Sequence, residues 1–109
     1  MEDSLSLKLA ALADPTRRAI VARLARGEAS VAELQKPFGI SQPAISRHLK
    51  VLEAAGLIEQ GRAAQTRPRR LKVEALRETG AWFDQVASFW QESFDRLDEM
   101  LATEKGEDC

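Results

Sequence analysis

The 109 residues are 44% hydrophobic and 30% charged, a length that makes one domain around one core and leaves no room for a multidomain enzyme. The single cysteine, Cys109, allows no intrachain disulfide, no apolar run nears the roughly 20 residues of a membrane span, and MEDSLSLKLAALAD lacks the pattern of a signal peptide, so a soluble cytoplasmic protein without a membrane partner is expected. The net charge of −1 excludes little because it is unevenly spread: residues 1–39 hold six Lys/Arg and five Asp/Glu, residues 40–73 seven and two, and residues 74–109 three and ten.

The basic middle third matters because a phosphate responds to charge within a Debye length of roughly 10 Å, not to the total. Ahead of it, Leu5 to Ala13 reads as a short helix, and Asp14-Pro15 is an N-cap and N1 pair that opens a second, closed by Gly27. Ile20, Val21 and Leu24 form its apolar stripe. Arg17, Arg18, Arg23 and Arg26 suit a solvated face, with Arg17 or Arg18 placed where a phosphate is the other option.

Ser30-Val31-Ala32-Glu33 is a capping box that predicts a third helix to about Lys36, ended by Pro37 and Gly39. After Ile40, the stretch SQPAISRHLKVLEAAG starts a fourth helix, with Ser41 as N-cap, Pro43 in the first turn and Gly56 as the stop. Two helices joined by so short a turn make a helix-turn-helix over residues 30–56, whose second helix is the one presented to the major groove. On a wheel of 100° per residue Ile45, Leu49, Leu52 and Ala55 share a core-facing stripe edged by Ala44, His48 and Val51. Pro43, Ser46, Arg47, Lys50 and Ala54 face the other way, with Gln42 at the margin. Such a face is either solvated or a reading surface, and its basic neighbours favour the second.

Residues 57–73, LIEQGRAAQTRPRRLKV, read as two short strands about a turn near Ala63 to Thr66. Pro68 assigns its strand to a sheet edge. Arg62, Arg67, Arg69, Arg70 and Lys72 are either edge protection or, after a helix-turn-helix, a phosphate-binding wing. A last helix over about 74–103, with a break at Gly80 as an option, carries one stripe through Leu76, Phe83, Trp90 and Leu97 with Ala87, Phe94 and Leu101. A second, through Trp82, Val86, Phe89, Ser93 and Met100, is offset by roughly 90°. One stripe is expected to pack on the rest of the chain and the other on a partner, most simply a second copy. The dimer-interface candidates are Trp82, Phe83, Val86, Phe89, Trp90, Phe94, Leu97 and Leu101, and 104–109 is a polar tail.

With ALADPTRRAIVARL, SVAEL, SQPAISRHLKVLEAAGLI and the basic hairpin in this order, residues 7 to 73 resemble the ArsR/SmtB family of winged-helix transcriptional repressors. The resemblance implies a mainly α fold with a small β-hairpin, a winged helix-turn-helix with a long C-terminal dimerisation helix, all as one domain over 1–109, and a homodimer on double-stranded operator DNA. By position it implies that Gln42, Pro43, Ser46 and Arg47 face the groove. Gln42 then suits an adenine edge, Arg47 a guanine or a phosphate, Ser46 either base type and Pro43 apolar contact, with Lys50, Arg62, Arg67, Arg69 and Arg70 on the backbone.

One departure from the family bears on regulation. Where metal-sensing relatives carry Cys-x-Cys, this chain has Ser30 and Ala32, and the last helix has no histidine. No metal site and no cofactor are expected. One His, no Tyr and no Gly-rich phosphate loop leave no catalytic constellation, so the chain is not expected to be an enzyme. The expectation is a repressor at an inverted-repeat operator, with its effector open. The rival is a winged-helix protein-interaction module that docks another protein through the last helix.

Overall fold

The computed structural model describes the backbone at residues 3–62 and 67–107, and side chains within those ranges as far as residue 102. The turn expected near Ala63 to Thr66 and the thiol of Cys109 lie outside the described residues. The chain divides into two compact units, Met1–Thr79 and Gly80–Cys109.

In the first unit, α1 (Ser4–Leu12) begins one residue earlier than expected because the Asp3 carboxylate accepts the Ser6 N–H at 2.7 Å. Asp14 does the same for α2 (Pro15–Leu24), accepting the Arg17 N–H at 3.0 Å. The capping box of α3 (Val31–Gln35) is complete: Ser30 Oγ accepts the Glu33 N–H at 3.1 Å and Glu33 Oε1 accepts the Ser30 N–H at 3.2 Å. A 3₁₀ turn over Lys36–Phe38 follows, and Gly39 takes φ 61°, a left-handed backbone that a residue with a β-carbon resists.

The next helix, α4 (Gln42–Ala54), starts on Ser41 with proline in its first turn. It ends in a Schellman motif: the Leu57 N–H bonds the Leu52 carbonyl and the Gly56 N–H the Glu53 carbonyl, each at 3.0 Å, with Gly56 at φ 78°. Then β1 (Ile58–Gln60) pairs antiparallel with β2 (Arg69–Leu71), Ile58 opposite Leu71. β2 is an edge of this two-stranded sheet, as Pro68 predicts, but it is covered at Arg69. The Arg69 N–H bonds the Ala29 carbonyl at 2.8 Å and its carbonyl accepts the Ala29 N–H at 3.2 Å, so the segment entering α3 closes over the strand.

Ile20, Leu34, Ile45, Leu49, Leu52 and Leu57 are the largest fully buried side chains, joined by Val21, Leu24, Ile58 and four buried alanines. Burial of each large aliphatic is worth about 1.5–3 kcal/mol. The first turns of α5 (Val73–Glu107) add Ala75, and the Thr79 hydroxyl is satisfied by the Ala75 carbonyl at 2.9 Å.

The second unit is the remainder of α5, and the backbone is helical at Gly80, so the optional break is not taken. Leu76, at the start of one stripe and still within the first unit, is partly buried against the core. Phe83, Trp90, Leu97 and Leu101 on one stripe and Trp82, Val86, Phe89 and Met100 on the other are all between 42% and 68% exposed. Sequence periodicity locates such stripes but does not say how many neighbours a single chain can offer them.

Candidate nucleic-acid interface

The turn between α3 and α4 is held by the Gln35 side chain, whose Nε2 donates to the Ile40 carbonyl at 3.0 Å. Ile45, Leu49 and Leu52 are buried along one side of α4, which fixes its rotation about its own axis and turns the opposite side outward. On that outward side Gln42, Pro43, Arg47 and Lys50 are exposed and Ser46 is half-buried. Gln42, Ser46, Arg47 and Lys50 make no side-chain hydrogen bond or ion pair among the described residues. Their donors and acceptors are open to a ligand, and helix packing has already oriented them.

Val51 is also exposed, beside Ala44 and Arg47, and with Arg17 and His48 these line a shallow depression of about 180 Å³. His48 is half-buried and belongs to a polar cluster at the start of α2. Its Nδ1 lies 3.3 Å from Arg17 Nη1 and 3.9 Å from Asp14 Oδ2. The Arg17 backbone N–H holds the Asp14 carboxyl below the usual carboxylate range, and the charges of His48 and Arg17 add to that against an opposing loss of hydration. The Ser30 backbone N–H does the same for Glu33 in its capping box. Arg17 and Arg18, for which solvent and a phosphate are the two sequence expectations, both turn their guanidinium groups back onto the end of α1.

The five cations of the hairpin fall into two sets. Arg62 and Arg67 are exposed and, like Lys72, form no side-chain hydrogen bond or ion pair among the described residues. Arg69 and Arg70 are engaged. Arg69 Nε donates to Glu53 Oε1 of α4 at 2.6 Å, while Arg70 bonds Glu59 across the hairpin at 2.7 and 3.0 Å and lies 3.8 Å from Glu28. No signal in the linear sequence separates these sets, since the carboxylate partners come from other elements.

Ser30 is the N-cap of α3, its hydroxyl engaged by the Glu33 N–H. Among the described residues no three His, Cys, Asp or Glu side chains stand together as metal ligands, and no helix is long and apolar enough to cross a membrane.

Residues 12–61 match the family described as a helix-turn-helix domain. The HTH-type transcriptional regulator Rv2034 of Mycobacterium tuberculosis is 39% identical over 94 residues, 86% of this chain and 85% of that protein. The solved structure of an ArsR family transcriptional regulator, RHA00566, superposes with a TM-score of 0.75 at 36% identity, over 82% of this chain and 98% of that one. The homodimeric winged helix-turn-helix DNA-binding domain Mb0332 of Mycobacterium bovis superposes with a TM-score of 0.65 at 28% identity, over 79% of this chain and 80% of that one.

Proposed function

This chain belongs to the ArsR/SmtB family of winged helix-turn-helix transcriptional regulators, and from that premise we propose that it is a cytoplasmic repressor that binds an inverted-repeat operator as a homodimer and blocks transcription by occupying the promoter. The observation that carries the reading is the outward face of α4, where Gln42, Ser46, Arg47 and Lys50 have no side-chain partner among the described residues while the opposite side is locked into the core. Bidentate Arg and Gln contacts read guanine and adenine edges in the major groove, and a serine hydroxyl serves either base type. Arg62 and Arg67 supply exposed charge for the flanking phosphates.

The homodimer rests on the exposed aromatic face of α5 and on the likeness to a domain described as homodimeric. Apolar surface of that extent on a single chain marks an interface, and a two-fold partner explains why an operator has two half-sites about 34–36 Å apart. Selection of bound fragments from randomised duplexes tests the whole reading. The expected result is an inverted repeat with two protected half-sites. Recovery of sequences with no shared motif rejects it. A second reading, a module that docks a different protein on the same aromatic face, is favoured instead if the purified chain sediments as a monomer at micromolar concentration.

A further inference from the structure

We propose that Arg69 is a positioning residue that aims the wing, and that its ion pair with Glu53 ties the wing to the reading helix so that Arg67, not Arg69, meets the DNA backbone. The inference rests on the reading of the hairpin as a phosphate-binding wing.

Arg69 joins three parts of the first unit. Its backbone is bonded through both N–H and C=O to Ala29, the residue that precedes the cap of α3. Its Nε donates to Glu53 Oε1 at 2.6 Å, with the two side chains only 14% and 25% exposed. Its Nη1 donates to the carbonyl oxygen of Arg67. Arg69 Nε and Nη1 are thus both committed within the protein, on a side chain largely shielded from solvent, where charge-assisted bonds are strong.

Arg67 is the other half of the argument. It has φ 34°, the single positive value outside glycine among the described residues. A residue with a β-carbon holds a left-handed backbone only where its surroundings fix it. The bond from Arg69 to the Arg67 carbonyl is such a constraint, and the Arg67 side chain it leaves is exposed and unpaired among the described residues. Glu53 thus sets Arg69, and Arg69 sets the peptide that carries Arg67. Because Glu53 sits on α4, the wing takes its orientation from the helix that carries Gln42 and Arg47.

The two roles for Arg69 differ in the sign of one experiment. If Arg69 contacts phosphate, Glu53→Gln removes a competing negative charge and tightens binding. If Arg69 positions Arg67, Glu53→Gln weakens binding although it makes the protein more positive. Binding of the full chain to a random-sequence duplex is measured across a salt series for Glu53→Gln, Arg69→Gln, Arg62→Ala, Arg67→Ala and the pairwise combinations of the first two with Arg67→Ala. Circular dichroism checks that each variant is folded.

Arg67→Ala is expected to lower the slope of log K against log salt by about 0.9, one phosphate contact. Glu53→Gln and Arg69→Gln are each expected to weaken binding, and to do nothing further once Arg67 is alanine. Tighter binding by Glu53→Gln, or independent slope losses for Arg69→Gln and Arg67→Ala that add to two contacts, overturns the inference and leaves the wing reading intact. Unchanged slopes for both Arg62→Ala and Arg67→Ala overturn the wing reading and this inference with it. If Arg69→Gln does not fold, Glu53→Gln alone and in the Arg67→Ala background gives the same decision.

Discussion

Arg17 Nε donates to the Ala11 carbonyl at 2.6 Å, so the C-terminus of α1 is capped from the first turn of α2. Arg17 Nη2 adds a bond to the Ala10 carbonyl at 3.3 Å, and Arg18 Nη1 reaches Leu12 and Ala13 at 2.8 and 3.0 Å. With no basic residue in its own last turn, α1 draws on these neighbours for its open carbonyls. Arg17→Ala is expected to lower unfolding free energy by about 1.5–3 kcal/mol, as for a bond to a charged donor. Arg17→Lys should recover only part, because a point charge does not span several acceptors as a planar fork does. Urea denaturation gives both values, and a shallower salt slope for DNA binding by folded Arg17→Ala would return Arg17 to the phosphate contacts.

Acid should loosen the start of α2. Bonding to the Arg17 N–H, with the charges of His48 and Arg17, depresses the Asp14 pKa in the folded state. The stability this contributes is complete above the unfolded carboxyl pKa and disappears as pH falls through the lower folded value. Wild-type Tm is therefore expected to drop between roughly pH 6 and pH 2 by more than that of Asp14→Asn, which keeps an N-cap acceptor but does not titrate. Parallel Tm curves for the two proteins would remove Asp14 from the acid response.

On the reading face, Gln42→Ala and Arg47→Ala are each expected to cost about 1–3 kcal/mol against the selected operator and far less against random DNA. Both positions are exposed and without internal partners among the described residues, so Tm should hardly move. Fluorescence anisotropy on matched and mismatched duplexes separates base reading from general weakening. Equal losses on both duplexes would make this face a phosphate surface.

For α5 the expectation concerns assembly. Trp90 is 68% and Phe94 50% exposed, and Trp90→Asp and Phe94→Asp each introduce a charge that a dimer would bury. At least one should shift sedimentation toward monomer, and operator binding should fall with it because the two half-sites lose their tether. Two variants that stay dimeric would place the interface elsewhere.

Regulation is expected to be independent of metal. Zn(II), Cd(II), Ni(II) and arsenite in micromolar excess should leave operator affinity within about twofold, roughly 0.4 kcal/mol. Ser30 offers a cap hydroxyl where a thiolate is needed. Titration of each metal into the protein–DNA complex in a non-chelating buffer is the measurement, and release at stoichiometric metal would show a site that the family pattern does not include.

Local chemistry was legible in the sequence, because its causes lie within a few residues of their effects. Asp14-Pro15, the Ser30 and Glu33 pair, Ser41 and Gly56 each act on backbone three or four positions away, so the order of helices and the turn between α3 and α4 could be read directly. The spacing of Ile45, Leu49 and Leu52 likewise set which side of α4 is buried and left Gln42, Arg47 and Lys50 outside.

What a charge does was decided only by the tertiary structure. Lys8 is buried beside Ser4, Arg17 lies over Ala11, Arg70 pairs with Glu59 and Glu28, and Arg69 meets Ala29 and Glu53. Several of these partners lie far along the chain, and a guanidinium has the same charge whether it faces a carboxylate, a carbonyl or water. The aromatic stripes of α5 follow the same logic. Their spacing is local and was readable; whether a stripe is covered depends on which surfaces are brought to it, which periodicity does not encode.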